Sequence, residues 1–230
     1  MSQTPMWWFN TEQFYINYPH KTHSAIFKAF YLLQAANWSH LLVVLSLQLE
    51  KPRKDFFELT IHHITTISLI FLSYRFHFTW IGVPVFWTHD VSDILLALCK
   101  ILNYLAAPDP IVPISFAIFT SVWIYARHYL GIMILKSVAT EFRTIGLWGL
   151  DWDGEWYKCW ISQYVTFALL SIIQLLDSYW LFLILRIAVR ILRGGEQKDD
   201  REDDDDDAEV ENELKKHVPH CCQALTKRRN

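Results

Sequence analysis

The sequence predicts an all-α, polytopic membrane protein, a helical bundle around a central cavity, and three observations predict it. Five stretches, at about 29–49, 59–81, 83–105, 111–135 and 161–185, are long and apolar enough to cross a bilayer, which takes about 20 residues. Short polar or proline-bearing junctions separate them. Trp and Tyr gather at their edges (Trp7, Trp8, Trp80, Trp87, Tyr104, Trp148, Trp152, Trp156, Trp160), as an aromatic belt requires. With 52% hydrophobic residues, eleven Trp and only seven Gly, the chain is neither disordered nor a Gly-rich nucleotide-binding fold. A soluble helical domain with five such runs would lack the polar surface to stay in solution.

Residues 1–28 are expected to form a lumenal or interfacial segment, and Met1-Ser2-Gln3-Thr4-Pro5 lacks the basic start of a signal peptide. The first helix contains Asn37-Trp38-Ser39, a glycosylation pattern that a membrane span makes unusable. Glu50-Lys51-Pro52-Arg53-Lys54-Asp55 links it to the second helix, Gly82 and Pro84 break the second from the third, and Pro108-Asp109-Pro110 breaks the third from the fourth. A Trp-rich polar segment, 144–160, leads to the fifth helix. From 194 to 230 the chain turns low in complexity. Residues 196–213 hold twelve acids against Lys198 and Arg201, so this tail is expected to be disordered through self-repulsion. The remaining body is nearly neutral, and nothing in this charge pattern invites a nucleic acid.

Lys51, Arg53 and Lys54 in the first junction and Arg186, Arg190 and Arg193 at the end of the last helix fall on one side of an up-and-down path. The positive-inside rule makes that side cytosolic, and the acidic tail with it, against a weaker opposing set of Lys136, Arg143 and Lys158. An odd helix count then places the N-terminus across the membrane, and helices upstream of Met1 are expected to be missing.

The chemistry should sit where lipid makes polar groups expensive. The second helix carries His62 and His63, adjacent and about 100° apart on the helix, so both can border one cavity. The third carries His89, Asp90, Asp93, Lys100 and Asn103, with Asp90 and Asp93 three apart on one face. Arg127-His128 follow in the fourth and Asp177 in the fifth. A turn near residues 80–82 would set His63 level with residues 97–101, leaving Asp93 roughly 6–12 Å along the helix from that level. No His-x-x-His-His cluster is present for a membrane di-iron centre, nor an Asp-His-His-Cys run. His217, His220, Cys221 and Cys222 are too cramped for a structural zinc site. No metal is expected, and Cys99, Cys159, Cys221 and Cys222 form no disulfide framework. A proton-coupled carrier could use the same His and Asp residues.

Glu50 to Asp55, His62-His63, Phe76-His77-Phe78-Thr79, Asp90-Val91-Ser92-Asp93 and Lys100-Ile101-Leu102-Asn103-Tyr104-Leu105 together resemble the Lag motif of fungal ceramide synthases. Tyr157-Lys158-Cys159-Trp160-Ile161, the run from Tyr179 to Arg186, and the acidic tail are similar to the same proteins. The resemblance implies a TRAM/Lag/CLN8 domain over residues 29–193, an endoplasmic-reticulum membrane, and transfer of an acyl group from fatty acyl-CoA to the amine of a sphingoid base. Acyl-CoA enters as co-substrate and no cofactor is bound. The protein partners it implies are a small single-pass accessory subunit or a homo- or heterodimer. It puts the catalytic roles on His62, His63, Asp90 and Asp93, one imidazole taking the amine proton or the acyl group while an aspartate orients the ring. Tyr74, His89, Lys100, Asn103, Arg127 and His128 are expected to bind substrate. A relative that only binds or senses lipid would not be expected to keep the His pair. The family is described with six helices preceded by at least one more, so five here mark a truncated start and an inactive isolated chain. Thr226 is the one hydroxyl residue of the tail, which leaves no Ser for phosphorylation.

Overall fold

The computed structural model describes residues 10–49, 53–105, 108 and 110–193. Trp7, Trp8, Glu50 to Pro52, Asp109 and the whole tail from 194, with His217, His220, Cys221 and Cys222, lie outside the described residues.

Helix α1 (Ala25–Ser46) starts at Ser24, whose hydroxyl accepts the Phe27 N–H. α2 (Phe56–Arg75) and α3 (Thr79–Tyr104) follow, joined by a turn at Phe76–Phe78 with His77 at φ +62°. Tyr18 Oη donates to the Phe76 carbonyl at 3.0 Å, which ties the N-terminal segment onto this turn. The break expected at Gly82 and Pro84 is therefore helical, for two reasons. Pro84 sits in the second turn of α3, where its missing N–H removes one bond, to Trp80, without stopping the helix. Gly82 is a contact glycine: a Cβ there would stand 2.1 Å from Tyr31 Oη of α1.

The next span is one long helix over Ile111–Thr144. It consists of α4 (Ile111–Trp123), a π-helical segment (Ile124–Leu130) and α5 (Gly131–Thr144). It continues beyond the expected residue 135. A two-stranded hairpin, β1 (Gly149–Asp151) and β2 (Trp156–Lys158), then leads into α6 (Trp160–Leu192). The hairpin was not anticipated. Asp151 Oδ1 folds its loop by accepting the N–H groups of Asp153 and Gly154 at 3.0 and 3.1 Å.

α1, α2, Ile111–Thr144 and α6 are long and apolar enough to cross a membrane. α3 is the fifth long helix, and it carries His89, Asp90, Asp93 and Lys100. The protein is an all-α, multi-pass membrane protein.

Apolar packing sits at both ends of the bundle. At one end Tyr15, Tyr18, Phe78, Val138 and Phe142 join the N-terminal segment to α3 and α5. At the other, Cys99, Phe119, Trp123, Trp180 and Ile184 join α3, α4 and α6. A polar layer lies between them.

Lys158 closes the first of these ends. It is fully buried, donates from Nζ to the Ile145 carbonyl, and lies over the rings of Tyr15 and Phe142 at 5.0 and 5.7 Å. Burial pulls its pKa down from 10.5 to about 8. Between those two values the unfolded chain binds more protons than the folded one, so stability rises with pH. Burial pushes the phenols of Tyr15 and Tyr18 up from 10.0, so they reverse the trend only above about pH 10. Detergent-solubilised protein should unfold at a higher temperature at pH 9 than at pH 7.5, and Lys158→Met should remove that difference. A flat wild-type profile would contradict this account of Lys158.

Candidate active site in the polar layer of α2, α3 and α6

His62 and His63 sit on the second turn of α2, both buried at 4% and 5% exposure. Because the α2–α3 turn comes at residues 76–78, His62 faces His89, their ring centroids 6.3 Å apart. The level expected for the pair, residues 97–101, is replaced by one about three turns nearer the start of α3. The His62 ring meets Trp38 of α1 and Trp180 of α6 edge-to-face, each at 5.3 Å, and Trp38 meets His63 at 5.4 Å. His63 Nδ1 lies 2.7 Å from the Leu59 carbonyl oxygen. A carbonyl only accepts, so Nδ1 carries the hydrogen and Nε2 keeps the lone pair. His62 Nδ1 is buried without a hydrogen-bond partner among the described residues.

Beside the histidines lies an ion-pair network centred on Arg127, which the π-helical segment turns into the bundle at 3% exposure. π segments are rare and recur at functional sites. Arg127 Nη1 donates to Asp177 Oδ1 at 2.9 Å, Nε to Ser92 Oγ at 2.7 Å, and Nη2 to Asp93 Oδ1. Its guanidinium also stacks 4.0 Å over the Trp123 ring. Asp177, 1% exposed, holds its other oxygen 3.3 Å from His89 Nε2. His89 Nδ1 is anchored 2.8 Å from the Val85 carbonyl oxygen. One buried carboxylate thus ties Arg127 to an imidazole that faces His62.

The structure gathers His62, His63, His89, Arg127 and the half-exposed Asp93 into this layer. Neither Asp90 nor Asp93 makes a hydrogen bond or ion pair with His62 or His63 among the described residues. Asp93 is held by Arg127, and Asp90 accepts from Gln34 Nε2 of α1 at 2.6 Å. Other partners explain this correction: Arg127 and Gln34 take up the two carboxylates and turn them from the histidines. His128 Nδ1 accepts from Gln174 Nε2 at 2.9 Å, beside the network. Tyr74 lies near the far end of α2, its ring 5.7 Å from Tyr31. Lys100 and Asn103 lie 11 and 14 residues beyond His89, about 16–21 Å along α3.

Trp38, Ser92 and Trp180 were not singled out by sequence, and Asp177 was noted only as a polar residue within a span. Asp55, 2% exposed, accepts the Trp180 indole N–H at 3.1 Å and so fixes the ring that packs on His62. Among the described residues no group of three or more His, Cys, Asp or Glu is placed to hold a metal ion.

Below the histidines an apolar cleft runs between α1, α2, α3 and α6. It is narrow and open, enclosing about 50 Å³, and is lined by Trp38, Thr66, Ile70, Phe86, His89 and Ile173 among others. From His89 to Phe78 it follows α3 for about 16 Å. Leu72, Phe78 and Thr166 are shared with a second cleft that reaches Trp152 and Cys159 at the hairpin. The combination is a polar, charge-balanced head joined to a long apolar trough.

The TLC domain family matches residues 1–186. The chain is 56% identical over 201 residues to the sphingosine N-acyltransferase lac1 of Schizosaccharomyces pombe, covering 87% of this chain and 52% of that protein. It is 49% identical over 216 residues to the ceramide synthase LAG1 of Saccharomyces cerevisiae, covering 94% and 52%. It is 32% identical over 213 residues to the human ceramide synthase 5, covering 90% and 50%. The chain thus spans about half the length of the curated relatives it matches. With a family match over 186 of its 230 residues, the chain belongs to the TLC-domain family of membrane proteins.

Proposed function

We propose that the protein is a ceramide synthase, an acyl-CoA-dependent sphingosine N-acyltransferase. The observation that carries this reading is the buried layer of His62, His63 and His89 beside a long apolar cleft that His89 itself lines, and the names of the relatives point the same way. The trough suits an aliphatic chain, and the head suits proton transfer next to it.

A sphingoid amine arrives protonated and attacks only after losing that proton. His63 Nε2, with its lone pair fixed by the Nδ1–Leu59 bond, takes the proton. The freed nitrogen attacks the thioester carbonyl carbon, the carbon–sulfur bond breaks, His63 gives its proton to the departing CoA sulfur, and the nitrogen's second proton passes to the vacated Nε2 and on to water. A covalent variant places the acyl group on an imidazole first and then passes it to the amine. His62 packs between Trp38 and Trp180 and faces His89. Asp177, Arg127 and Asp93 hold His89 and the wall of α3 in register and balance the buried charge. Asp90 acts through its bond to Gln34, which couples α3 to α1.

The protein works in the endoplasmic-reticulum membrane, with the acidic tail from 194 to 230 in the cytosol and residues 1–28 on the lumenal side. A single-pass accessory subunit or a second synthase chain completes the assembly. Purified full-length protein, given a long-chain acyl-CoA and a sphingoid base, should form ceramide and free CoA in equal amounts. An absence of CoA release under conditions where the protein stays folded would overturn the reading.

A further inference from the structure

Acyl transfer passes through a tetrahedral carbon whose oxygen takes on negative charge. In a low-dielectric bundle that oxygen needs a hydrogen-bond donor already in place. His62 Nδ1 has no partner, but a ring nitrogen can equally accept, and the fixed N–H donors described above are engaged. The Arg127 N–H groups go to Asp177, Ser92, Asp93 and the His89 carbonyl, the Trp180 N–H goes to Asp55, and His63 Nδ1 goes to Leu59.

Trp38 differs. Its indole is 9% exposed, lines the apolar cleft, and packs edge-to-face on both His62 and His63 at 5.3 and 5.4 Å. Its Nε1 is buried and has no hydrogen-bond partner among the described residues. An indole N–H can only donate, so it is a buried donor awaiting an acceptor. Trp123 Nε1 is also without a partner, but that ring lies under Arg127 in the packed end of the bundle and does not line the cleft.

We propose that Trp38 is a further catalytic residue, its Nε1–H donating to the oxyanion of the tetrahedral intermediate. The proposal rests on the acyltransferase reading and adds a role to a residue of α1. As the amine nitrogen bonds to the carbonyl carbon, the C=O π pair moves onto oxygen and is met by the Trp38 N–H. The pair then returns to re-form the carbonyl, the carbon–sulfur bond breaks, the sulfur leaves with its electrons and takes the proton held by His63, and the second proton of the attacking nitrogen passes to the vacated His63 Nε2 and on to water. Attack by an imidazole in place of the amine forms the same oxyanion and needs the same donor.

The test compares wild type with Trp38→Phe, which keeps a ring against the histidines and removes the N–H, and with a variant carrying benzothienylalanine at 38, which keeps the bicyclic shape. Both should lose about 10²–10³-fold in kcat, the usual effect of removing one oxyanion donor, with KM for both substrates and thermal stability in detergent unchanged. A trifluoromethyl-ketone analogue of acyl-CoA, which presents an oxyanion when bound, should lose affinity by a similar factor. An unreactive thioether analogue should bind as before. A kcat within threefold of wild type in both variants, or equal losses for the two analogues, would overturn the donor role. Wild-type protein that releases no CoA would overturn the acyltransferase reading itself, so the two failures are distinct.

Discussion

Replacing His62 and His63 together by alanine should abolish ceramide formation while leaving the protein in the membrane at normal levels. His63 accounts for most of the loss, because its Nε2 is the basic nitrogen whose tautomer is fixed by the Leu59 carbonyl. Removing a positioned proton-transfer group typically costs 10²–10⁴-fold in rate. His63→Ala should fall in that range, measured as ceramide released by purified full-length protein. His62 packs between Trp38 and Trp180 and faces His89, so His62→Ala both opens space against two indoles and removes an imidazole. A double variant within a factor of three of wild type would show that the pair is structural. Folding is checked separately by thermal unfolding in detergent, since neither histidine bonds to the Arg127 network that holds the layer together.

The second large effect falls on that network. Arg127→Met should sharply reduce the yield of folded protein, because it leaves Asp177, 1% exposed, as a buried carboxylate without its guanidinium. Breaking one side of a buried pair typically costs about 3–5 kcal/mol, whereas replacing both sides by apolar groups is often neutral. The double variant Arg127→Met/Asp177→Leu should therefore recover much of the thermal stability that either single change loses. It should not recover activity, because His89 then loses the carboxylate beside its Nε2. The measurement is a double-mutant cycle on unfolding temperature. Additive losses, with no coupling between the two sites, would show that the ion pair contributes nothing to the fold.

Much of this arrangement was legible in the amino-acid sequence. Apolar length gave five long helices, four of which are apolar enough to cross a membrane, and the expense of polar groups in lipid singled out His62, His63, His89, Asp93 and Arg127. Pairing was harder to read, because it depends on register. Gly82 and Pro84 carry strong local turn signals, yet Gly82 makes room for Tyr31 and Pro84 sits early in a helix that tolerates it. Moving the turn to residues 76–78 carries the level of the His pair from residues 97–101 to His89, while Arg127 and Gln34 take up Asp93 and Asp90. Asp177 stood out as polar, but its partners lie on α3 and the π segment, and nothing local to α6 names them. Trp38 gave no signal at all, since a Trp in a membrane helix is ordinary until its unpaired N–H is seen. Asp55 read as part of a charged junction, and only packing shows it buried under Trp180.

The π segment at Ile124–Leu130 has a consequence for how one helix serves two neighbours. A wider i→i+5 turn takes up an extra residue, so it acts as a phase step: α5 is rotated relative to the direction in which α4 would have continued. Upstream of the step, Phe116, Phe119 and Trp123 pack toward α3 and the end of α6. Downstream, Ile134, Val138 and Phe142 pack toward the N-terminal segment and the start of α6. At the step itself Ala126, Arg127 and Leu130 face inward while Tyr125 and Tyr129 stack on the outside, 5.5 Å apart. An unbroken α-helix would advance each residue by about 100° and could keep only one half in phase. The inward direction of Arg127 and the seating of α5 at the hairpin end are thus set by the same single-residue offset, so the charge centre and the apolar packing under the hairpin share one geometric origin.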